Sequence, residues 1–222
     1  MQMAPSERSY MRSTFVAVIL LSAFVLASCS SNKPAEKSSA PAAEQKKSQP
    51  NEYKTGQQAF QNLFVAARSF APDVKPYRLQ SLYTEGAPIE EGKAGIWTAQ
   101  FASVARRGIK TYTWSGITAE GAPDRGVTHG TEDDYNPANS STQVFEVQFL
   151  KIDSNKAFEE AQKHGGDKLI KKDPKQPVFF VLDWNPKGNE LIWHVIYGTS
   201  RNEAKLAIAI DTSSGLFKHI EH

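Results

Sequence analysis

The chain has 222 residues, of which 40% are apolar, 10% aromatic and 23% charged, and this composition is sufficient for one packed domain or two small ones. Its formal net charge of +2 argues against a nucleic-acid partner, because phosphate binding needs a concentrated basic surface. A single Cys excludes an internal disulfide and a multi-cysteine zinc site.

The first predicted element is a secretory signal over residues 1–28. Two arginines precede an apolar stretch at residues 15–26, and small residues then lead to Cys29. The stretch is shorter than the roughly 20 residues that a membrane-spanning helix needs. A start at Met11 leaves a compact signal of the same kind.

The four residues Leu26-Ala27-Ser28-Cys29 resemble a bacterial lipobox. The resemblance implies cleavage before Cys29 and attachment of lipid, with acyl chains such as palmitate, to that residue. Two or three chains would anchor the protein durably, because each buried methylene contributes about 0.8 kcal/mol. We therefore expect an extracytoplasmic protein on the membrane, at the periplasmic face of the outer membrane in a Gram-negative cell. The alternative is a transmembrane anchor in which the Cys is incidental.

Cys29 begins a segment, residues 29–54, that we predict to be a flexible stalk. Residues 30–50 contain no aromatic or branched aliphatic side chain. Such a segment cannot bury enough apolar surface to offset the loss of chain entropy on folding.

A first folded unit is predicted over residues 55–116. Thr55 and Gln58 have the spacing of a capping box, and the apolar residues that follow recur at steps of three and four, which is typical of one helix face. Three stretches rich in aromatic and β-branched residues come next and predict an antiparallel meander, at residues 77–83, 94–103 and 108–115.

Residues 117–141 are rich in Gly and Pro and are predicted to be a connector. The second unit, residues 142–222, begins with a predicted strand at 142–150, where apolar residues alternate. Asp153 can cap a short helix, and Gly165-Gly166 can end it. The remaining strands are predicted at residues 177–184, 190–198, 203–211 and 216–220.

The two units share residues in the same order. Phe60 corresponds to Phe158 in the helices, and Trp97 corresponds to Trp193 in the strands, with an aromatic residue four positions after each Trp. This matching predicts a duplicated α+β unit in which a helix packs on an antiparallel meander. The alternative is convergence of two unrelated segments on the same pattern.

The second unit also carries a closing Ile-Asp-x-x-x-Gly turn at residues 210–215, after an opening helix with small apolar residues. In both respects it resembles a PepSY-type domain, with a cystatin-like helix on a meander. The first unit resembles the family less, because Tyr112 stands where the second has Asp211. The resemblance implies a small extracytoplasmic module with no shared catalytic residues, and some members are proposed to restrain peptidases.

Few residues indicate chemistry, and no catalytic or phosphate-binding motif is present in the sequence. A metal candidate, with a solvated acidic linker as the alternative, is formed by His129, Glu132, Asp133 and Asp134. His194 faces opposite to Trp193 on its strand, so we expect a surface residue. His164 suits the carboxyl end of a helix, and His219 and His222 lie in the last residues.

Trp97 and Trp193 are expected in the core, beneath the helices. Trp114 and Trp184 lie at strand ends, so we expect them to be partly exposed and to offer a surface for a peptide or glycan.

The sequence therefore predicts a membrane-anchored, non-catalytic binding module without cofactor or metal. Its partner would be an envelope protein, a peptide or a glycan, and a peptidase-restraining role is one form of this hypothesis. One alternative is a hydrolase that uses His129, His194 or Asp133-Asp134. Another is a carrier that holds an apolar ligand between helix and sheet.

Overall fold

The computed structural model describes residues 49–221, so the predicted signal, Cys29, most of the predicted stalk and His222 lie outside the described residues. The described part is an α+β fold. Its helices are α1 (Gly56–Ala67), α2 (Ser154–Ala161) and α3 (Asp167–Lys172). Its strands are β1 (Lys54–Thr55), β2 (Lys75–Ser81), β3 (Lys93–Ala94), β4 (Ile96–Ser103), β5 (Gly108–Ser115), β6 (Gly126–Asp134), β7 (Val178–Asn185), β8 (Glu190–Tyr197), β9 (Leu206–Asp211) and β10 (Phe217–Glu221).

Within the described range, eight strands form one antiparallel sheet in the order β10-β9-β8-β7-β2-β4-β5-β6. Each half of the chain supplies four neighbouring strands. The halves join where β2 pairs with β7, through Arg78 with Asp183, Leu79 with Leu182 and Gln80 with Val181. The short strands β1 and β3 pair separately.

The amino-terminal ends of α1 and α2 meet at a shared set of hydrogen bonds. Thr55 and Gln58 form the predicted capping box of α1. The carboxylate of Asp153 accepts from the backbone N–H of Ser154 at 2.7 Å and from that of Gln57 at 2.8 Å. The hydroxyl of Ser154 accepts from the N–H of Gly56 at 2.7 Å. One carboxylate therefore caps both helices, and its negative charge suits their positive ends.

The core lies between the helices and one face of the sheet. Trp97 and Trp193 are fully buried there, as predicted, with ring centroids 6.2 Å apart in an edge-to-face arrangement. Phe180 lies within 6.2 Å of both rings. These side chains pack between helix and sheet at the centre of the core, whereas a depression of about 600 Å³ lies at its edge, lined by Phe158, Ile170 and Val178 among others.

Each central Trp bonds the chain just before a helix. The indole N–H of Trp97 donates to the carbonyl of Lys54 at 2.9 Å, and that of Trp193 donates to the carbonyl of Ile152 at 2.8 Å. Gly56 allows the first turn of α1 to approach closely, because a Cβ there would lie 2.6 Å from the Trp193 ring. The absence of a side chain at Gly56 is therefore a packing requirement.

Residues 117–141 are not only a connector, because they contain β6, the edge strand next to β5. The prediction missed this strand since nearly every one of its residues is exposed and only Val127 is apolar, which leaves no alternation to detect. Charged residues suit an edge strand, because they discourage pairing with another chain.

The strand predicted at residues 142–150 is also wrong. The segment forms two short 3₁₀ turns, Ser140–Thr142 and Val147–Phe149. Its aromatic residues still contribute to the core: Phe145 is buried, and Phe149 packs 5.4 Å from the Trp184 ring. A further strand cannot pair with β2 here, because β4 and β7 already occupy its two edges.

The folded part begins before residue 55, so the predicted stalk boundary is a few residues late. Glu52 donates its N–H to the carbonyl of Gly116, and Arg125 donates to the carbonyl of Pro50. Gly165 has a φ of 114° and lies in the turn Gln162–Gly166 that follows α2, as its predicted ending requires. The helix α3 after it was not expected. None of the helices in residues 49–221 has both the length and the apolar character to cross a bilayer.

Candidate functional site

Five ionisable side chains form what we term the charged cluster, on the face of the sheet that the helices leave open. His194 on β8 is at its centre. Its Nδ1 lies 2.6 Å from a carboxylate oxygen of Glu221 on β10, and its Nε2 lies 3.0 Å from one of Asp183 on β7. The other members are Arg78 and Arg201.

The sequence places these side chains on the open face by strand alternation. Trp193 and Val195 are buried in the core on the helix side, so His194 between them points the other way. Two small residues of β9, Ala207 and Ala209, pair with positions on β8 and β10. Because these residues are small, the imidazole can reach across β9 to Glu221.

The two arginines enter the cluster from the side of Asp183. Arg78 donates from Nη2 to Asp183 Oδ2 at 3.1 Å. A nitrogen of Arg201 lies 3.9 Å from the same oxygen, and another lies 3.8 Å from a Glu221 oxygen. The cluster therefore joins β2, β7, β8, β10 and the loop before β9 on one surface.

The electrostatics favour the charged forms of His194, Asp183 and Glu221. Burial lowers the pKa of His194, which is only 9% exposed, but the hydrogen bonds to Asp183 and Glu221 outweigh burial and raise the pKa above its usual 6.5. Burial raises the pKa of Asp183 and of Glu221, but the His194 hydrogen bonds and the neighbouring cations outweigh it and lower both. With His194 protonated, the cluster holds three cations and two carboxylates.

This arrangement makes a poor general base of His194. Both ring nitrogens face carboxylates, so the imidazole is held as a double donor. A nucleophile within reach of a free ring nitrogen, which acyl transfer requires, is not found among the hydrogen bonds of residues 49–221. The cluster presents charge and hydrogen-bond donors on the open face.

Comparison with known proteins bears on the fold alone. No family model matches the chain, and no curated protein matches it. The fold is similar to the crystal structure of a "putative lipoprotein" from Clostridium difficile 630, with a TM-score of 0.51 and 12% sequence identity. The similarity covers 77% of this chain and 94% of that chain.

The structure separates the two Trp residues that were predicted to form a binding surface. Trp114 on β5 is 3% exposed and lies beneath the ammonium group of Lys54, 4.5 Å from the ring centroid, so the expectation of partial exposure is wrong there. Trp184 on β7 is partly exposed, as expected. Strands β2 and β4 lie between β5 and β7, so the two indoles do not share a surface.

The acidic segment of the metal candidate lies along β6. Glu132 forms an ion pair with Arg106 at 2.8 Å, and adjacent Asp133 and Asp134 point to opposite faces of the strand. In the part of the chain that the structure describes, no three His, Cys, Asp or Glu side chains are placed to hold a metal ion. His129 on β6 and His194 on β8 are separated by β5, β4, β2 and β7, so the two side chains do not share a site.

Two residues that the sequence singled out separately do come together. His194 and His219 line a depression of about 250 Å³, together with Asp183 and Glu221. Trp184 borders the same depression, but its indole packs on the helix side, against Phe149. The expectation that His194 is a surface residue is half right: it lies on the open face, but its partners bury it. His164 is structural, with its ring stacked 3.9 Å from that of Phe217.

Sequence reasoning missed four members of the charged cluster: Arg78, Asp183, Arg201 and Glu221. One signal was present for two of its five members. Asp183 and His194 interrupt the apolar runs of two adjacent predicted strands, and alternation assigns both to the same face. Neighbouring strands with such residues predict a buried polar contact.

Proposed function

We propose that this protein is a non-catalytic binding module, held at the extracytoplasmic face of a membrane by lipid on Cys29. The anchoring part rests on the lipobox-like Leu26-Ala27-Ser28-Cys29. The fold likeness to a solved structure described as a putative lipoprotein supports it. The partner is an envelope protein, a peptide or a glycan, and restraint of a peptidase is one form that the binding takes.

One observation carries the binding part of the proposal. The centre of the charged cluster, His194, is buried on the open face of the sheet and has a carboxylate at each ring nitrogen. Such a cluster fixes the positions of side chains without leaving a free base. It supports recognition at this surface, and the hydrolase alternative finds no support in it.

We further propose that residues 55–116 and 142–222 are two related, PepSY-like units. Each has a helix on a four-stranded antiparallel run when β6 is included in the first. The bonds of Trp97 to Lys54 and of Trp193 to Ile152 support the relation, since both carbonyls immediately precede the residue that caps the helix. The two runs meet at β2 and β7 to give one continuous sheet.

The anchoring proposal is tested by expressing the full-length protein in a bacterial host with labelled palmitate. We expect the label on the wild-type protein, recovery in the membrane fraction and release only by detergent. The Cys29→Ser variant would lose the label and remain uncleaved, because cleavage follows lipid attachment, whereas a matched Ser31→Ala variant would be labelled and cleaved. A wild-type protein that is unlabelled and keeps its apolar segment would instead support a transmembrane anchor and contradict the proposal.

The non-catalytic proposal has its own test. Full-length protein and the His194→Gln variant are assayed against peptide, ester and glycoside substrates. We expect no turnover by either protein above a buffer control. Turnover that is lost in His194→Gln would establish the hydrolase alternative.

A further inference from the structure

A second, larger depression lies on the open face of the sheet beside the charged cluster. Its volume is about 570 Å³, which is within the range of small-molecule sites. It is bounded by the outer sides of β2 and β7, by residues 82–84 and 199–201, and by residues 121–123. Arg78 and Arg201 both line it.

The lining is cationic. Among the described residues that line the depression there are two arginines and no Asp, Glu, Lys or His. Hydroxyl groups add further donors, from Tyr83, Thr84 and Ser200. A cavity with two guanidinium groups and no carboxylate in its wall favours a negatively charged occupant.

The two guanidinium groups retain N–H donors that make no hydrogen bond within residues 49–221. A guanidinium carries five N–H donors. Within residues 49–221 the Arg78 group makes one hydrogen bond, from Nη2 to Asp183, and its Nε is buried without an acceptor. The Arg201 nitrogens have carboxylate oxygens at 3.8 and 3.9 Å, beyond hydrogen-bond distance. Asp183 thus positions both groups without saturating either.

The two carboxylates of the charged cluster do not neutralise its positive charge. Asp183 is shared between Arg78, Arg201 and His194, and Glu221 is shared between His194 and Arg201. When His194 is protonated, one positive charge exceeds the two carboxylates. The excess lies on the side of the arginines, where the depression opens.

The floor of the depression is apolar. It is formed by Leu82, Ile96, Phe179 and Val181, of which Ile96 and Val181 are buried. An inorganic ion would use the arginines but leave this surface in contact with water. An apolar group attached to the anion would cover it, at a gain of about 25 cal/mol for each Å² removed from water.

We propose that this depression binds a small organic anion, with a carboxylate or phosphate group held between Arg78 and Arg201 and its apolar body against Phe179 and Val181. The inference deepens the binding function proposed above and rests on it. Carboxylate and phosphate share the chemistry that a guanidinium recognises, so each has its own arm in the test.

The test is calorimetric titration of the full-length protein in detergent micelles. The carboxylate arm compares N-acetyl-phenylalanine with its neutral amide, and the phosphate arm compares phenyl phosphate with phenol. Acetate and inorganic phosphate report the anionic group alone. We expect at least one amphipathic anion to bind tenfold or more tightly than both its neutral partner and its bare anionic group, and the arm that binds identifies the group.

Two variants then locate the binding. Arg201→Gln, which breaks no hydrogen bond in the described residues, should weaken that anion about tenfold or more, as loss of a charge-assisted contact does. Arg78→Gln should act in the same direction, with its unfolding midpoint measured to exclude misfolding. Arg68→Gln is the control, because Arg68 lies against Phe64 on the helix side.

Equal binding of anion and neutral analogue, no binding of any anion, or binding unchanged in Arg201→Gln would each overturn the proposal. These results are independent of whether Cys29 carries lipid. If the membrane fractionation fails, the anchoring proposal is wrong but the anion site is unaffected. If the titration fails, the anion site is wrong but the anchoring proposal is unaffected.

Discussion

The two halves of the molecule agree on one face of the sheet and differ on the other. On the helix side, Trp97 and Trp193 pack edge to face and bond equivalent carbonyls. On the open side, the next residue along each strand is Thr98 in the first half and His194 in the second. The shared side chains hold helix to sheet, whereas the charged cluster belongs to the second half and its junction with the first. The comparison separates what the fold needs from what we assign to function.

The largest effect should come from removing either central Trp. Truncation of a buried Trp typically costs 3–5 kcal/mol, so Trp97→Ala and Trp193→Ala should each lower the free energy of unfolding by about that amount, measured in urea. The exposed Val65 offers a control, since Val65→Ala should change it by less than about 0.5 kcal/mol. A large loss in one Trp variant and almost none in the other would break the likeness of the halves on the helix side.

A smaller loss is expected from Gly56→Ala. The added Cβ would lie 2.6 Å from the Trp193 ring, and overpacking of this kind costs about 1–3 kcal/mol. Gly130→Ala is the matched control, because a Cβ there meets nothing closer than 4.0 Å. Urea unfolding of both variants checks the prediction. Equal stability of the two would show that α1 can move away from Trp193 freely.

The smallest expected effect concerns pH and the open face. The raised pKa of His194 means that its contribution to stability is complete below its usual pKa of 6.5 and is lost as pH rises through the raised value. The lowered pKa values of Asp183 and Glu221 mean that their contribution is present above their usual values of 3.8 and 4.5 and is lost as pH falls through the lowered ones. The cluster should therefore stabilise the protein most between about pH 5 and 6.5.

His194→Gln should remove the decline on the alkaline side, at a cost of about 1–2 kcal/mol near pH 6. Unfolding free energies measured from about pH 5 to 9 would show it. His129→Gln is the control, because His129 lies on the exposed edge strand. If the stability of His194→Gln declines at alkaline pH as the wild type does, the pH dependence belongs to another group. The open face would then make no pH-dependent contribution through His194.

The helix side of the fold was predictable because periodicity is strongest where side chains are buried. The capping box of α1, both central Trp residues and most strands of the meanders follow from local spacing. The strand β6 could not be found in this way, since an edge strand with both faces in water carries no alternation. The segment at residues 142–150 was wrongly predicted to be a strand because its apolar residues alternate. Phe145 and Phe149 pack into the core without pairing with a strand.

The charged cluster could not be predicted from local sequence patterns, because its members are distant in the sequence. Arg78 and Glu221 are brought to one surface by the pairing of β2 with β7 and by the position of β10. That pairing depends on how the halves join, which single-strand periodicity does not specify. Asp183 and His194 were the detectable pair, as polar residues on the same face of adjacent strands.

The capping of α1 by Asp153 has a consequence for biosynthesis. The ribosome completes α1 more than eighty residues before it adds Asp153, whose carboxylate caps Gln57. Until β7 is made, β2 also has one hydrogen-bonding edge without its native neighbour. A nascent chain that ends between residues 116 and 153 therefore has a first helix without its second cap and a strand with an open edge, which is the kind of edge that pairs with other chains.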